Sequence, residues 1–239
     1  MIVLGLDTAT KATAVGLRLA DGTTLQARDD PAEEQRPGHA TKLLGLARRL
    51  LDEAQVGWGE LERIAVGVGP GRFTGLRVGI ATARGLAQSL EIDLVGVSSL
   101  RGLARPASQD ARAVLAVIDA RRGEVFAAAC TTGQETTPAG AVAPAALRDL
   151  TALAAGPWLA IGDGAVRYRD ELLLAGVAVP EEDSRLHLIA GAEICELGAE
   201  SEAHAPEAVL PDYRRRPDAE TALLERAVAP AGVATGSGR

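Results

Sequence analysis

Aromatic side chains are scarce in this 239-residue chain: two Trp, two Tyr and two Phe, 3% in all. Any core must therefore be built from Leu, Val, Ile and Ala, and the 47% apolar content is enough to build one. Cysteine is nearly absent too. Cys130 and Cys195 stand far apart with no CxxC spacing, which excludes a zinc ribbon and a redox pair; two buried thiols in a cytosolic chain are expected. There are three histidines, His39, His187 and His204, and no two are three or four residues apart, so no helical metal pair exists. Positive charge is outweighed: the net charge of −7 argues against a broad nucleic-acid surface acting alone and leaves room only for a local basic patch. No apolar run approaches the ~18 residues of a membrane span, and the start lacks the basic and apolar regions of a signal peptide. The length suits one large or two small domains.

What the chain does have is an unusual stretch at residues 63–100, RIAVGVGPGRFTGLRVGIATARGLAQSLEIDLVGVSSL. Residues 64–68 form a short apolar run fit for a strand buried on both faces. Gly69-Pro70-Gly71 breaks it, a helix follows over 73–90, and residues 94–97 are the next buried strand. Two such strands joined by a helix make a parallel βαβ unit. At about 100° per residue, Phe73, Leu76, Ile80, Ala83, Ala87 and Leu90 share the face that covers the sheet. Gly75, Gly79, Thr82, Gly85 and Ser89 are read as a smooth opposite face, with Arg77, Arg84 and Gln88 on a narrow edge. No acidic residue occurs between Pro70 and Leu90, whereas an ordinary surface helix carries mixed charge. Spacing alone leaves two uses open for this face: close packing within the chain, or a subunit interface.

The chain before this unit reads as a three-stranded meander over 2–6, 14–19 and 23–28, a polar loop at 29–38, and an amphipathic helix over 39–54 with Leu43, Leu44, Ala47, Leu50 and Leu51 on one side. A helix over 99–105 and a loop at 106–110 mark the boundary between halves. The opening pattern then returns: VLGL ends in Asp7, LAVI ends in Asp119, and each leads through a tight connection into another strand. A strand–Asp–hairpin unit is thus duplicated. A loop over 131–143, a helix over 144–155, a strand over 158–161 closed by Gly162-Asp163-Gly164, a helix over 168–175, an extended piece at 177–179, a helix over 188–198 and an extended segment at 211–215 complete the second half. Residues 217–239 read as a flexible tail.

A carboxylate at the end of a first strand can serve a nucleotide's metal and phosphates, or can simply hold backbone amides. Asp7, Thr8 and Asp119, with Gly69, Gly71 and Arg72 at the start of the central helix, are therefore the candidate nucleotide or anion site. The rest of such machinery is missing. There is no P-loop and no GxGxxG, since Gly67, Gly69 and Gly71 merely alternate, and there is no GxSxG elbow.

The segment GVGPGRFTGLRVGIATARGLA, continued by LVGVSSL and joined by LGLDTAT, VIDARRGEVF, GPWLAIGDGA and PDYRR, resembles the TsaB (YeaZ) family across nearly the whole chain. The resemblance implies a duplicated, two-lobed α/β fold of the actin/hexokinase/Hsp70-like superfamily, with lobes at 1–105 and 106–216. It implies a non-catalytic subunit, labelled in older usage a glycoprotease-family peptidase. That subunit binds TsaD, with TsaE joining, in the cytoplasmic complex that makes threonylcarbamoyladenosine at position 37 of tRNAs reading ANN codons. It implies a homodimer when the chain is alone, indirect contact with tRNA, no membrane, and no cofactor beyond a nucleotide held weakly at a complex interface. TsaD-like chains carry His-x-x-x-His on the helix that here begins at His39; this sequence has Leu43 at the second position, which leaves no metal pair. The resemblance tilts the central helix toward an interface made by Gly75, Arg77, Val78, Gly79, Thr82, Arg84, Gly85 and Gln88, with His39 and Lys42 from the neighbouring helix. The competing expectations are a stand-alone ATPase or phosphotransferase using Asp7 and Asp119, and a metallopeptidase.

Overall fold

The computed structural model describes residues 1–32, 34–108, 113–131, 134–138, 140–153 and 156–214. The tail read over 217–239, Arg215, and parts of the loops read at 106–110 and 131–143 lie outside the described residues.

The first half runs β1 (Val3–Asp7), β2 (Thr13–Arg18), β3 (Thr24–Asp29), α1 (His39–Ala54), β4 (Arg63–Gly69), α2 (Phe73–Leu90), β5 (Asp93–Ser98) and α3 (Ser99–Ser108). Its five strands form one sheet in the order β3-β2-β1-β4-β5. Strand β1 is antiparallel to β2 and parallel to β4, and β5 continues parallel to β4. The uninterrupted apolar runs of β1 and β4 follow from that arrangement, because helices cover both faces of the sheet's centre.

The second half runs β6 (Ala113–Arg121), β7 (Glu124–Thr131), β8 (Gln134–Thr136), α4 (Leu147–Thr151), β9 (Trp158–Ile161), α5 (Asp163–Arg167), α6 (Arg169–Leu174) and α7 (Gly191–Glu200). Its sheet, in the order β8-β7-β6-β9, repeats the first: an antiparallel hairpin, then a parallel strand beside the opening one. The duplicated strand–Asp–hairpin unit is thus a feature of the fold.

Three apolar clusters hold five layers together, the middle one spanning both sides of the central helices. Leu43, Leu50, Leu51, Ile80 and Ala83 pack α1 and α2 onto the outer face of the first sheet. Leu100, Leu103, Ile194 and Leu197 place α3 and α7 between the sheets, against Val3, Val97, Val114 and Phe126. Leu147, Leu150, Ala165 and Leu172 cover the outer face of the second sheet. Aliphatic residues do nearly all of this work, at about 2 kcal/mol for each fully buried side chain. Helix α7 belongs to the second half by sequence but packs on β1, β2 and β4. Glycine permits this approach: a Cβ on Gly16 would fall 2.3 Å from backbone atoms of Gly191, and one on Gly191 would fall 2.1 Å from Val15.

Several local expectations change. Leu44 is 48% exposed, because one further residue along α1 rotates it about 100° past Leu43 and out of the buried stripe. Helix α3 continues through Pro106 to Ser108, since a proline in the last turns forfeits only one backbone bond while Ala107 gains burial. The helix read at 144–155 shortens to a 3-10 turn at Pro144–Ala146 and α4; residues 154 and 155 lie outside the described set. Gly162, at φ +109°, turns the chain so that a helix opens at Asp163, five residues before the one read at 168. The helix read over 188–198 begins at Gly191.

Candidate interaction face

Strand β4 ends at Gly69, and the chain enters α2 through Arg72, whose amide donates to the Ala9 carbonyl at 2.7 Å. From there α2 lies over β4, burying Leu76, Ile80, Ala83 and Ala87. The buried arc is wider than the apolar stripe. Gly75 and Gly79, read from spacing as part of an open groove, are sealed by the β1–β2 turn. A Cβ on Gly75 would lie 2.1 Å from the Thr8 carbonyl oxygen, and one on Gly79 would lie 2.3 Å from Thr8 Oγ1. The Thr8 hydroxyl donates to the Gly75 carbonyl at 2.8 Å. These two glycines serve packing within the chain: at 100° steps they flank the Leu76–Ile80 face instead of opposing it.

His39 is likewise buried, at 5% exposure, with Nδ1 2.9 Å from Thr13 Oγ1. It is a core histidine, not a surface contact. Burial, with the charge of Arg72 next, holds its imidazole below the usual range against the opposing pull of Asp29. Leu43, in the second position of the metal pair, is 1% exposed and packs in the core.

Arg77 and Arg84 are engaged by a later segment of the same chain. After α7, residues 204–214 run back across the first sheet: the His204 amide donates to the Leu94 carbonyl, Val209 is buried in the α1/α2 core, and the Asp212 amide donates to the Val68 carbonyl at 2.8 Å. Arg84 Nη2 donates to the carbonyls of Glu207 and Val209, at 3.0 and 2.5 Å. Arg77 Nε donates to the Tyr213 hydroxyl at 2.8 Å. The Arg77 guanidinium also sits 3.9 Å above the Phe73 ring, which stacks on Tyr213 at 5.0 Å. The sequence marks 211–215 as a distinct segment but carries no signal that it pairs with α2; only the tertiary path joins them.

What α2 leaves open to solvent is a ridge of Thr74, Arg77, Ala81, Gly85, Gln88 and Ser89, with Val78 and Thr82 half-buried beside it. A Cβ on Gly85 would meet nothing within 4 Å. The ridge is free of acid. Lys42 and Leu44 are exposed on α1. A cavity of about 570 Å³ opens where the two helices begin, between Arg36 and Ala40 on one side and Arg72, Thr74 and Val78 on the other.

Of the candidate nucleotide residues, Asp7, Thr8, Gly71 and Arg72 meet around the β1–β2 turn, and Arg72 lies within electrostatic reach of Asp119. Asp7 is 1% exposed and turned inward: Oδ2 accepts from the Ser99 hydroxyl at 2.6 Å and Oδ1 from the Ala9 amide at 2.9 Å. Its pKa is raised, with burial outweighing those hydrogen bonds. Thr8 is wholly buried beneath α2. Gly69 faces Leu76 and the Asp212 carbonyl, and Gly71 lies against Ala9. Asp119 belongs to the other sheet, where Oδ1 accepts from the Arg121 amide at 2.9 Å and Oδ2 pairs with Arg121 and Arg167 at 3.6 and 3.5 Å. Its own amide donates to Asp163 at 3.0 Å. The pKa of Arg72 is lowered, by burial and then by Arg121, against the pull of Asp163 and Asp119. Asp7 and Asp119 thus each hold a backbone amide two residues further on, Ala9 and Arg121. The cavity between Thr10, Lys11 and Arg28 of the first half and Asp163 and His187 of the second is about 150 Å³, below the ~300 Å³ at which ligand pockets begin.

Nor does the thiol chemistry change this picture. Burial pushes both Cys130 and Cys195 up to about 12, far from a reactive thiolate. Among the described residues, no group of three or more His, Cys, Asp and Glu stands together as a metal would need, and no helix is long and apolar enough to cross a membrane.

Two similar sheets, each opened by a strand–Asp–hairpin and interleaved with helices, define the actin/hexokinase-like class of α/β proteins. A ROK hexokinase from Thermus thermophilus has this fold, with a TM-score of 0.53 over 84% of this chain and all of that one, at 15% identity. The family model described as TsaD, tRNA N6-adenosine threonylcarbamoyltransferase, matches residues 31–161. The tRNA threonylcarbamoyladenosine biosynthesis protein TsaB of Escherichia coli is 31% identical over 228 residues, covering 90% of this chain and 95% of that protein. YeaZ from Pseudomonas aeruginosa superposes with a TM-score of 0.69 at 31% identity, over 88% of this chain and all of that structure. This chain belongs to the TsaB family.

Proposed function

We propose that this chain acts in tRNA threonylcarbamoyladenosine biosynthesis as a non-catalytic subunit that docks on TsaD through α1 and α2. One observation carries the reading: α2 turns an acid-free ridge of small side chains to solvent, while Asp7 and Asp119 contact backbone amides, Ser99 and arginines of the chain itself. A helix of such composition lets a second backbone approach closely. Within this reading TsaE joins the pair, tRNA is met through the assembled complex in the cytoplasm, and the chain pairs with itself when TsaD is absent. The ATPase reading would need Asp7 to face a ligand, and Asp7 faces Ser99.

The test needs a position that points outward, and Gly79 does not. Ala81→Glu places a charge on the open ridge, and Val78→Glu places one at its half-buried edge. Purified with the cognate TsaD, both variants are expected to fall out of the complex on size exclusion and to lose activity in a reconstituted threonylcarbamoylation assay, with melting temperatures near that of the wild type. Complex formation by both variants at wild-type strength would refute this docking face.

A further inference from the structure

The cover of the second sheet has a gap. Between α4 and α6 lies a cavity of about 240 Å³, walled by Leu147, Leu172, Leu174 and Val177 and rimmed by Arg148 and Glu171. It is smaller than the ~300 Å³ at which ligand pockets begin, so it suits side chains better than a small molecule. Leu173 and Leu174 stand exposed at α6. The first sheet has a comparable seam, and late sequence closes it: Val209, from the segment after α7, is buried in the α1/α2 cluster.

That late segment then turns toward the gap. The guanidinium of Arg214, its last described residue, donates to the Pro138 carbonyl at 3.4 Å. The Arg214 carbonyl oxygen lies 3.3 Å from where a Cβ on Gly140 would stand. Gly140 is four residues before Pro144, which lines the cavity, a span of at most about 14 Å. The four steps from Arg214 to Asp218 reach as far. From there the sequence reads as an amphipathic helix: Asp218 is a favoured N-cap type, helix formers fill 219–229, and Pro230 ends the pattern. At 100° per residue, Leu223, Leu224, Ala227 and Val228 share one side. Glu220 falls on that side a turn earlier, and Arg226 flanks it. The cavity rim holds a counter-charge for each, Arg148 and Glu171.

We infer that residues 218–229 pack over the cavity between α4 and α6, with the Leu223–Val228 side turned inward and Glu220 and Arg226 set against Arg148 and Glu171. The chain's own last stretch thus closes the second cover as Val209 closes the first. The inference does not depend on the docking reading.

Hydrogen exchange of the full chain, read by mass spectrometry, tests it. Amides of 219–229 are expected to exchange about ten-fold or more slowly compared with a free peptide of the same sequence, and to keep that protection when the protein is diluted. Leu174→Glu changes only an exposed side chain of the rim, and Leu223→Asp with Leu224→Asp changes only the late segment. Each is expected to return 219–229 to the rate of the free peptide while strand amides of both sheets keep theirs, and the double variant should also speed exchange in α6. Peptide-like exchange of 219–229 in the wild type would overturn the inference. So would protection that Leu174→Glu leaves intact, which puts the segment elsewhere, or protection lost on dilution, which makes a second copy of the chain the occupant.

Discussion

The two sheets share a strand plan and differ in what covers their outer faces. Over the first lie α1 and α2, of 16 and 18 residues, packed by a common aliphatic cluster. Over the second lie α4, α5 and α6, of five, five and six residues. The second cover is the more ragged in apolar exposure: Leu174 is 84% exposed, Leu153 56% and Leu173 48%, around a cavity of about 240 Å³ that Leu174 lines. Counting exposed leucines would therefore point to the second sheet, whereas the docking face proposed above lies on the first. Exposed apolar residues scattered on short segments are common on monomeric proteins. What sets the first cover apart is a long rigid support and, on α2, small side chains with arginine but no carboxylate.

That contrast can be broken at several points. The largest effect is expected inside the first cover, where Gly79→Val must push the β1–β2 turn off α2. Urea unfolding should show a loss of about 3 kcal/mol or more, the range of severe overpacking, whereas Gly85→Ala, with nothing within 4 Å, should gain up to about 1 kcal/mol. Equal effects at the two positions would mean that the small residues of α2 form one set, not a packed pair and an open one. Next comes the comparison of covers: Leu174→Glu should leave TsaD affinity within about two-fold of wild type, inside the scatter of surface changes, where Val78→Glu abolishes it. A loss at Leu174 would move the docking face to the second sheet.

The smallest effect concerns pH. The unfolded chain begins to protonate His39 near pH 6.5, while the folded chain keeps it neutral because burial and Arg72 lower its pKa. The unfolded state then binds the extra proton, so this contribution is complete above that pH and is lost as pH falls through it. Asp7 and Asp163, raised by burial, act with the opposite sign. Urea midpoints at pH 7.5 and 5.5 should therefore differ by more in wild type than in His39→Gln. Parallel curves would show that the imidazole stays neutral in both states.

Much of this architecture was legible in the sequence because it rests on short-range chemistry. The runs before Asp7 and Asp119 read as strands, the Gly-Pro-Gly break led into α2, and α1 began at His39. The duplicated unit was visible because an aspartate ends each opening run. The candidate site was less legible, for a physical reason. A helical wheel gives angles but no neighbours, so Gly75 and Gly79 were indistinguishable from Gly85 until Thr8 was placed above them. Arg77 and Arg84 looked like rim charges because their partners lie more than 120 residues further on. Asp7 and Asp119 have matching places in the sequence, but their partners come from the tertiary path: Ser99, 92 residues on, for Asp7 and Arg167 for Asp119.

Helix α7 carries a consequence for how the molecule is made. The inner face of the first sheet, with Gly5 and Gly16 in it, is closed by Gly191 and Cys195, which lie nearly two hundred residues downstream. A ribosome that has released only the first hundred residues holds a sheet with one side bare, so synthesis must run past residue 200 before the first half of the molecule is sealed. Shortening the gene from its 3′ side would strip the beginning of the protein as surely as its end.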